Sequence, residues 1–284
     1  MTPTTPTTGG NTGSNGSALN AVPAAYREQV RQTKIIQLDM EDEDAKYEAT
    51  AFGKKYDVNN EIMDLSALPL GLHDYPYRAA DSIKRSFQMG TGAYSYDLKA
   101  GDVYKENGIF RIYQQPYSIV RGTYVIDEQK NNERVNVWSD ADIDAYFEAN
   151  QILGLVTTKA AVDALNIQAT YRGLAFTAKD QGELVYNVDF KNRSGSGEIT
   201  GLDKFGRISL EKGNIAEIPK WLESDQTVTG ITAAARAEKS DGLTSYTLMF
   251  AGPQAEEVAG VVADEIMQYK EDISYGVIGF GGKR

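Results

Sequence analysis

A mainly β protein is predicted, with a mixed β/α first half and an antiparallel barrel or sandwich in the second. Short runs rich in Tyr, Ile, Val and Phe recur between Gly, Asn and Asp punctuation. Past Asn166 these runs follow one another at even spacing, with Gly-rich corners and no long helix between them. Helical periodicity is confined to two short stretches. At 284 residues and 41% hydrophobic, the chain is long enough for one large domain or two ordinary ones.

Taken in order, Met1 to Ser17 is Thr, Gly, Ser, Pro and Asn with no charge and no apolar residue beyond the initiator, the composition of a flexible tether. Strand-like runs follow at Lys34–Leu38, Lys46–Phe52, Ile109–Tyr113, Tyr117–Val120 with Thr123–Ile126, and Arg134–Trp138. From Asn59 to Gly92 the alternation fails, and this stretch is expected as an excursion off the sheet with a helical turn at Ala79 to Phe87. A helix is expected from Ser139, where Ser-Asp-Ala-Asp offers a cap and first-turn acids and Ile143, Tyr146, Phe147 and Ile152 fall near one face. A second, capped by Thr157 or Thr158, carries Ala161, Val162 and Leu165 and ends at Asn166. Nine strand-like runs then remain: Gln168–Thr177, Glu183–Lys191, Gly195–Leu202, Arg207–Glu211, Asn214–Ile218, Thr227–Ala237, Ser245–Ala251, Glu257–Ala263 and Tyr275–Gly281.

Composition removes whole classes of function. Twenty-nine Lys and Arg against 40 Asp and Glu give a net charge of -11, which opposes an extended grip on nucleic acid or anionic lipid. With no Cys and one His, disulfide frameworks, zinc fingers and two-histidine metal sites are excluded, and no acid, base and nucleophile emerge together to name an enzyme. No apolar run reaches the roughly 18 residues of a membrane span and none follows Met1, so the sequence as given is expected to be soluble and without an export signal. Gly195-Ser-Gly-Glu-Ile-Thr-Gly201 lacks the strand-turn-helix setting of a phosphate loop and is expected inside a strand. The acids from Asp39 to Asp44 lack calcium-loop spacing and are expected as a charged turn. Tyr171, Phe176, Tyr186, Phe190, Tyr246, Phe250 and Phe280 are expected to fill the core, while Gly173, Gly201, Gly230 and Gly260 relieve crowding where strands bend. Glu256 and Glu257 are expected in solvent after a turn at Gly252-Pro253, with a strand resuming at Val258.

Ala169-Thr-Tyr-Arg-Gly-Leu-Ala-Phe176, Tyr186-Asn-Val-Asp-Phe190, Gly195-Ser-Gly-Glu-Ile199, Tyr246-Thr-Leu-Met-Phe250, Gly252-Pro-Gln-Ala-Glu-Glu-Val-Ala-Gly260 and Ile278-Gly-Phe-Gly-Gly282 occur in this order. In that order they resemble the transferrin-binding-protein-B-like barrels, a family that also takes in factor-H-binding protein, the hemophilins and the nematode-colonisation lipoproteins. The resemblance covers about two fifths of the chain, with a weaker echo of the family's handle domain in Tyr113-Gln-Gln-Pro-Tyr-Ser-Ile-Val120. It implies a tether (1–20), a mixed β/α handle (21–166) and an eight-stranded antiparallel barrel (167–284). It further implies a non-enzymatic outer-membrane lipoprotein displayed on the cell surface, exported by a surface lipoprotein assembly modulator (Slam, type XI secretion). Such a protein is anchored by an N-terminal lipid, binds a host protein or surface and supports host colonisation. No cofactor is then required. The alternative the family offers is a hemophilin-like heme carrier, in which His73, flanked by Leu70, Leu72, Tyr75 and Tyr77, would hold the iron. A lone histidine on a polar loop is ordinarily just a surface residue, and Tyr75 and Tyr77 can instead anchor a protein interface through large area at small entropy cost.

Overall fold

The structure is a computed structural model that describes residues 16–37, 55–56, 62–64, 67–83, 86–89, 96–137, 147–219, 226–264 and 276–284. Two 3-10 turns, Ala18–Ala21 and Ala24–Tyr26, lead into helix α1 (Arg27–Thr33), and β1 (Ile35–Gln37) pairs with β3 (Ile62–Asp64). The predicted strand at Lys46–Phe52 and the acidic turn lie outside the described residues. The handle sheet is built on β7 (Val103–Gln114) and β8 (Ser118–Lys130), joined by a three-residue turn; β4 (Gly71–Ser82) lies beside β7, and β2 (Lys55–Tyr56) beside β4. On the other side β8 pairs with β10 (Phe147–Gly154) near its start and β9 (Glu133–Val137) near its end. A small hairpin, β5 (Phe87–Met89) with β6 (Tyr96–Leu98), completes the first half.

Two expectations are corrected here. The stretch read as an excursion contains β4, twelve residues in unbroken register with β7 from Gly71–Gln114 to Ser82–Val103, so Ala79 to Ser82 is strand rather than helical turn. Its apolar alternation is hidden because Asp74, on the barrel-facing side with Leu72, is paired with Arg111, whose Nε donates to it at 2.9 Å. Pro76 is tolerated because, among the described residues, β2 covers only Ala79 and Ala80, leaving β4 an edge strand at the proline. The second correction concerns Phe147 and Ile152, assigned to a helix face. Both lie in β10, where Ile152 pairs with Val120 and is buried; the proposed start at Ser139 lies outside the described residues. An eight-residue stretch with a ready strand partner gains a ladder there, whereas a lone short helix gains little.

Helix α2 (Lys159–Ala164) forms as predicted: the Thr158 hydroxyl accepts from the Ala161 N–H, and Val162 is buried against the barrel core. The barrel closes through eight antiparallel strands: β11 (Gln168–Phe176), β12 (Gln181–Asp189), β13 (Ser194–Leu202), β14 (Gly206–Ile218), β15 (Val228–Ala237), β16 (Leu243–Ala251), β17 (Glu257–Asp264) and β18 (Gly276–Lys283), with β18 pairing back onto β11. The two runs expected at Arg207–Glu211 and Asn214–Ile218 are one strand, interrupted by an irregularity in its register with β15 between Leu210 and Ile215. The glycine-rich run 195–201 lies in β13, as expected.

Burial differs around the cylinder, and the sequence pattern follows it. Along β12 buried and accessible positions alternate, the mark of a strand with one wet face. Along β17 from Glu257 to Ala263, and along the second half of β16 from Leu248 to Ala251, the run is continuously buried, because the outer face is covered as well. Inside, Phe250 packs on Phe190 at 5.3 Å and on Tyr171 at 6.5 Å between ring centroids, and Tyr186 meets Tyr246 edge-on at 5.9 Å. The lumen is filled with side chains. Gly260 lies across from Phe280, whose ring reaches within 2.4 Å of where a Cβ would stand, so a side chain there would displace an inner aromatic. Phe176 is corrected from the inner set: it points outward into the cluster joining barrel and handle, with Val120, Ile152, Met249, Ala259 and Val261.

Candidate functional site

The joint between handle and barrel holds the most concentrated buried chemistry. The β7–β8 turn, Gln115-Pro-Tyr117, lies against the start of β17. There Glu257, 1% exposed, accepts from the Tyr117 N–H at 2.9 Å and from the Ser118 hydroxyl at 2.7 Å. Gln115 crosses the joint as well, its side-chain amide donating to Ser118 Oγ at 2.9 Å and to the Val258 carbonyl at 3.1 Å. Lys34, wholly buried, inserts its ammonium from the end of α1 and donates to the Gln115 carbonyl and, at 3.0 Å, to the Pro116 carbonyl. Burial pushes the Lys34 ammonium well below its ordinary range and the Glu257 carboxyl well above its own; the attraction between them opposes both shifts. Tyr113 nearby is pushed up to about 12, first by burial and then by the Glu257 charge.

Two further ties hold the halves together. Arg111 donates through Nη1 to the Thr177 carbonyl at 2.7 Å and the Asp180 carbonyl at 3.0 Å, gripping the β11–β12 turn. The segment after β10 is stitched to the end of β16: Thr157 N–H donates to the Phe250 carbonyl at 3.0 Å and Thr157 Oγ1 to the Gly252 carbonyl at 2.6 Å. Glu257 corrects the expectation of a solvated acid. The available signal was its position at the head of the apolar run Val258-Ala-Gly-Val-Val-Ala263, where a solvated strand would alternate. Nothing in the sequence pairs it with Lys34, more than 200 residues away.

The residues singled out beforehand lie on β4. His73 is opposite Ile112 and Tyr75 opposite Phe110, on the face turned away from Leu72 and Asp74. His73 is half-buried and donates from Nε2 to the Pro69 carbonyl at 2.8 Å. Its ring is 6.5 Å from that of Tyr75, whose hydroxyl is pushed up by burial. Phe110, beside Tyr75, carries the Arg121 guanidinium 5.3 Å over its ring. Tyr77 pairs with Gly108 through the backbone; its side chain lies outside what is described. Leu70, at 40% exposure, is one of the few large apolar side chains in water among the described residues. No group of three or more His, Asp or Glu able to hold a metal ion occurs among the described residues. None of the described helices is long and apolar enough to cross a membrane.

On the barrel's far side, β12, β13 and β14 form an open polar trough of about 510 Å³, lined by residues including Asn187, Ser196, Glu198, Ser209, Glu211 and Lys212. Glu198 pairs with Arg207, and Glu211 accepts from Arg236 Nε at 2.6 Å. Beneath it Tyr186 donates to the Tyr246 hydroxyl at 2.7 Å, which itself donates to the Glu211 carbonyl at 2.7 Å.

Residues 164–262, which include α2 and most of the barrel, match the family described as factor H binding protein, C-terminal. The match covers about a third of the chain. Among solved structures the chain is similar to isotype 1 transferrin binding protein B of serogroup B Neisseria meningitidis, at 15% identity and a TM-score of 0.37, over 75% of this chain and 42% of that one. For transferrin binding protein B of Haemophilus parasuis Hp5 the values are 13% and 0.37, over 76% and 37%. For that of Actinobacillus pleuropneumoniae H49 they are 17% and 0.33, over 70% and 80%. The chain thus spans about two fifths of the length of the first two. In this chain the barrel does not stand free: the handle covers the outer face of β16 and β17.

Proposed function

We propose that this chain is a non-enzymatic recognition protein displayed on a bacterial surface, which binds a host protein through its outer faces. The observation that carries this reading is the match of residues 164–262 to the factor-H-binding-protein barrel, on a cylinder whose interior is packed with its own side chains. A filled lumen directs recognition outward, to strand faces and loops. In this reading 1–20 is a tether, 21–166 the handle and 167–284 the barrel; the protein is held at the outer membrane by an N-terminal lipid, exported with a Slam-type partner, and serves host colonisation. Net charge of -11 favours a partner presenting a basic or mixed surface.

The test is display followed by capture. Cells carrying the natural gene, with and without the Slam-type partner, are labelled intact with antibody to the barrel, and the purified full chain is titrated with factor H and with transferrin as probes. Labelling of intact cells that depends on the secretion partner, with saturable binding to either probe, supports the proposal. A product found only inside cells, or one that turns over a substrate after rigorous purification, overturns it.

A further inference from the structure

From Ser17 to Lys34 the chain runs across the seam between handle and barrel with few side chains inside. Ala18, Val22, Val30 and Lys34 are buried, while the residues between them are half-buried or exposed. The spacing of 4, 8 and 4 residues marks a segment seated on one side only. Its start is tied down by the Ala18 N–H donating to the Leu68 carbonyl at 2.9 Å and by a strand bridge from Ser17 to Pro69. In the middle, Val22 and Val30 belong to the apolar cluster that also contains Tyr117, Val120 and Ile152 of the handle and Phe176 and Met249 of the barrel. At its end Lys34 caps the Gln115 and Pro116 carbonyls and offsets the buried Glu257 charge.

We propose that Ser17–Lys34 is a releasable strap that locks the handle onto the barrel, with Lys34 as its latch. Two valines and an ammonium set against the ordering of the whole segment place the strap at the low end of opening free energies, well below the barrel ladder. Because Lys34 is the counter-charge of Glu257 and a donor to the β7–β8 turn, opening the strap loosens that turn and the head of β17 as well. The strap therefore controls access to the apolar joint. The far strands β12–β14, which the strap does not touch, keep their protection.

Hydrogen exchange on the full chain tests this. In wild type under low denaturant, strap amides and those of residues 115–118 and 257–258 are expected to open together, before β12–β14. In Lys34→Met, which keeps the apolar stem and removes the ammonium, amides at 115–118 and 257–258 should exchange at least about tenfold faster and still open before β12–β14. A strap that opens alone, leaving 115–118 protected, overturns the proposal; so does a strap that opens only together with β12–β14. The wild-type measurement decides the matter even if the variant folds poorly.

Discussion

Removing either member of the Lys34–Glu257 pair should cost far more than removing both. Each is essentially inaccessible to water, so a lone survivor keeps the burial penalty and loses the opposite charge that offsets part of it. Lys34→Met and Glu257→Gln are each expected to lose about 3–5 kcal/mol of folding stability. In Glu257→Gln the amide also offers one oxygen to the two donors, Tyr117 N–H and Ser118 Oγ, that the carboxylate satisfies. The double variant has no buried charge at this point; it loses the bond to the Pro116 carbonyl, while the Gln115 carbonyl keeps the Gln114 side-chain amide at 2.8 Å. Its expected loss is about 1–3 kcal/mol, against a sum of roughly 6–10 for independent changes, a coupling of at least about 3 kcal/mol. Urea unfolding of the four proteins measures it.

The single variants should also differ in pH dependence, with opposite signs. In Glu257→Gln the remaining lysine titrates lower in the folded state than its ordinary 10.5, so stability is greatest above 10.5 and falls as pH drops below it. In Lys34→Met the remaining carboxyl titrates higher than its ordinary 4.5, so stability is greatest below 4.5 and falls as pH rises past it. Each slope approaches one proton, about 1.4 kcal/mol per pH unit, until the folded-state group has also titrated. Additive single effects, or parallel pH profiles, would refute the buried pair as an energetic unit.

Other outcomes follow from the same structure. Phe250→Ala removes the ring that Phe190 and Tyr171 share in the lumen and should cost about 3–5 kcal/mol in thermal or urea unfolding; a loss under 1 would mean the lumen is not close-packed. Tyr246→Phe strands the buried Tyr186 hydroxyl and should cost about 1–3 kcal/mol, more than Tyr186→Phe, which leaves the bond to the Glu211 carbonyl intact; the reverse order contradicts the donor sequence. Gly279→Val places a Cβ 2.6 Å from the Phe176 ring and 2.9 Å from Val120, so it should push handle from barrel, costing about 1–3 kcal/mol and raising protease sensitivity in the handle while the barrel survives. Hemin added to the purified chain should give no saturable Soret shift; a one-equivalent shift lost in His73→Ala would replace host-protein recognition by heme carriage.

The barrel was largely legible because its signals are local. Period-two alternation in β12, paired aromatics and even spacing of turns each depend on neighbours within a few residues. The Thr158 cap of α2 was legible for the same reason. At β14 the local signal misled: Lys212-Gly213 resembles a turn, yet the chain passes through it as an irregularity within one strand. At β4 and β10 the local signal was overruled: Asp74 is received by Arg111 of β7, Pro76 lies where, among the described residues, β4 is an edge, and Phe147–Gly154 finds a ladder on β8.

For the candidate site, the position of His73 and Tyr75 on one side of a strand could not be read before β4 was known, and the Lys34–Glu257 pair could not be read at all. What the sequence alone determined was which segments are strands in the second half and which aromatics could line a cylinder, because hydrophobic period and turn chemistry are properties of short stretches. What only the tertiary structure decided was which outer faces are covered and which charges are buried. Burial is set by what lies across a contact, and Lys34, Gln115 and Glu257 meet there from three distant parts of the chain.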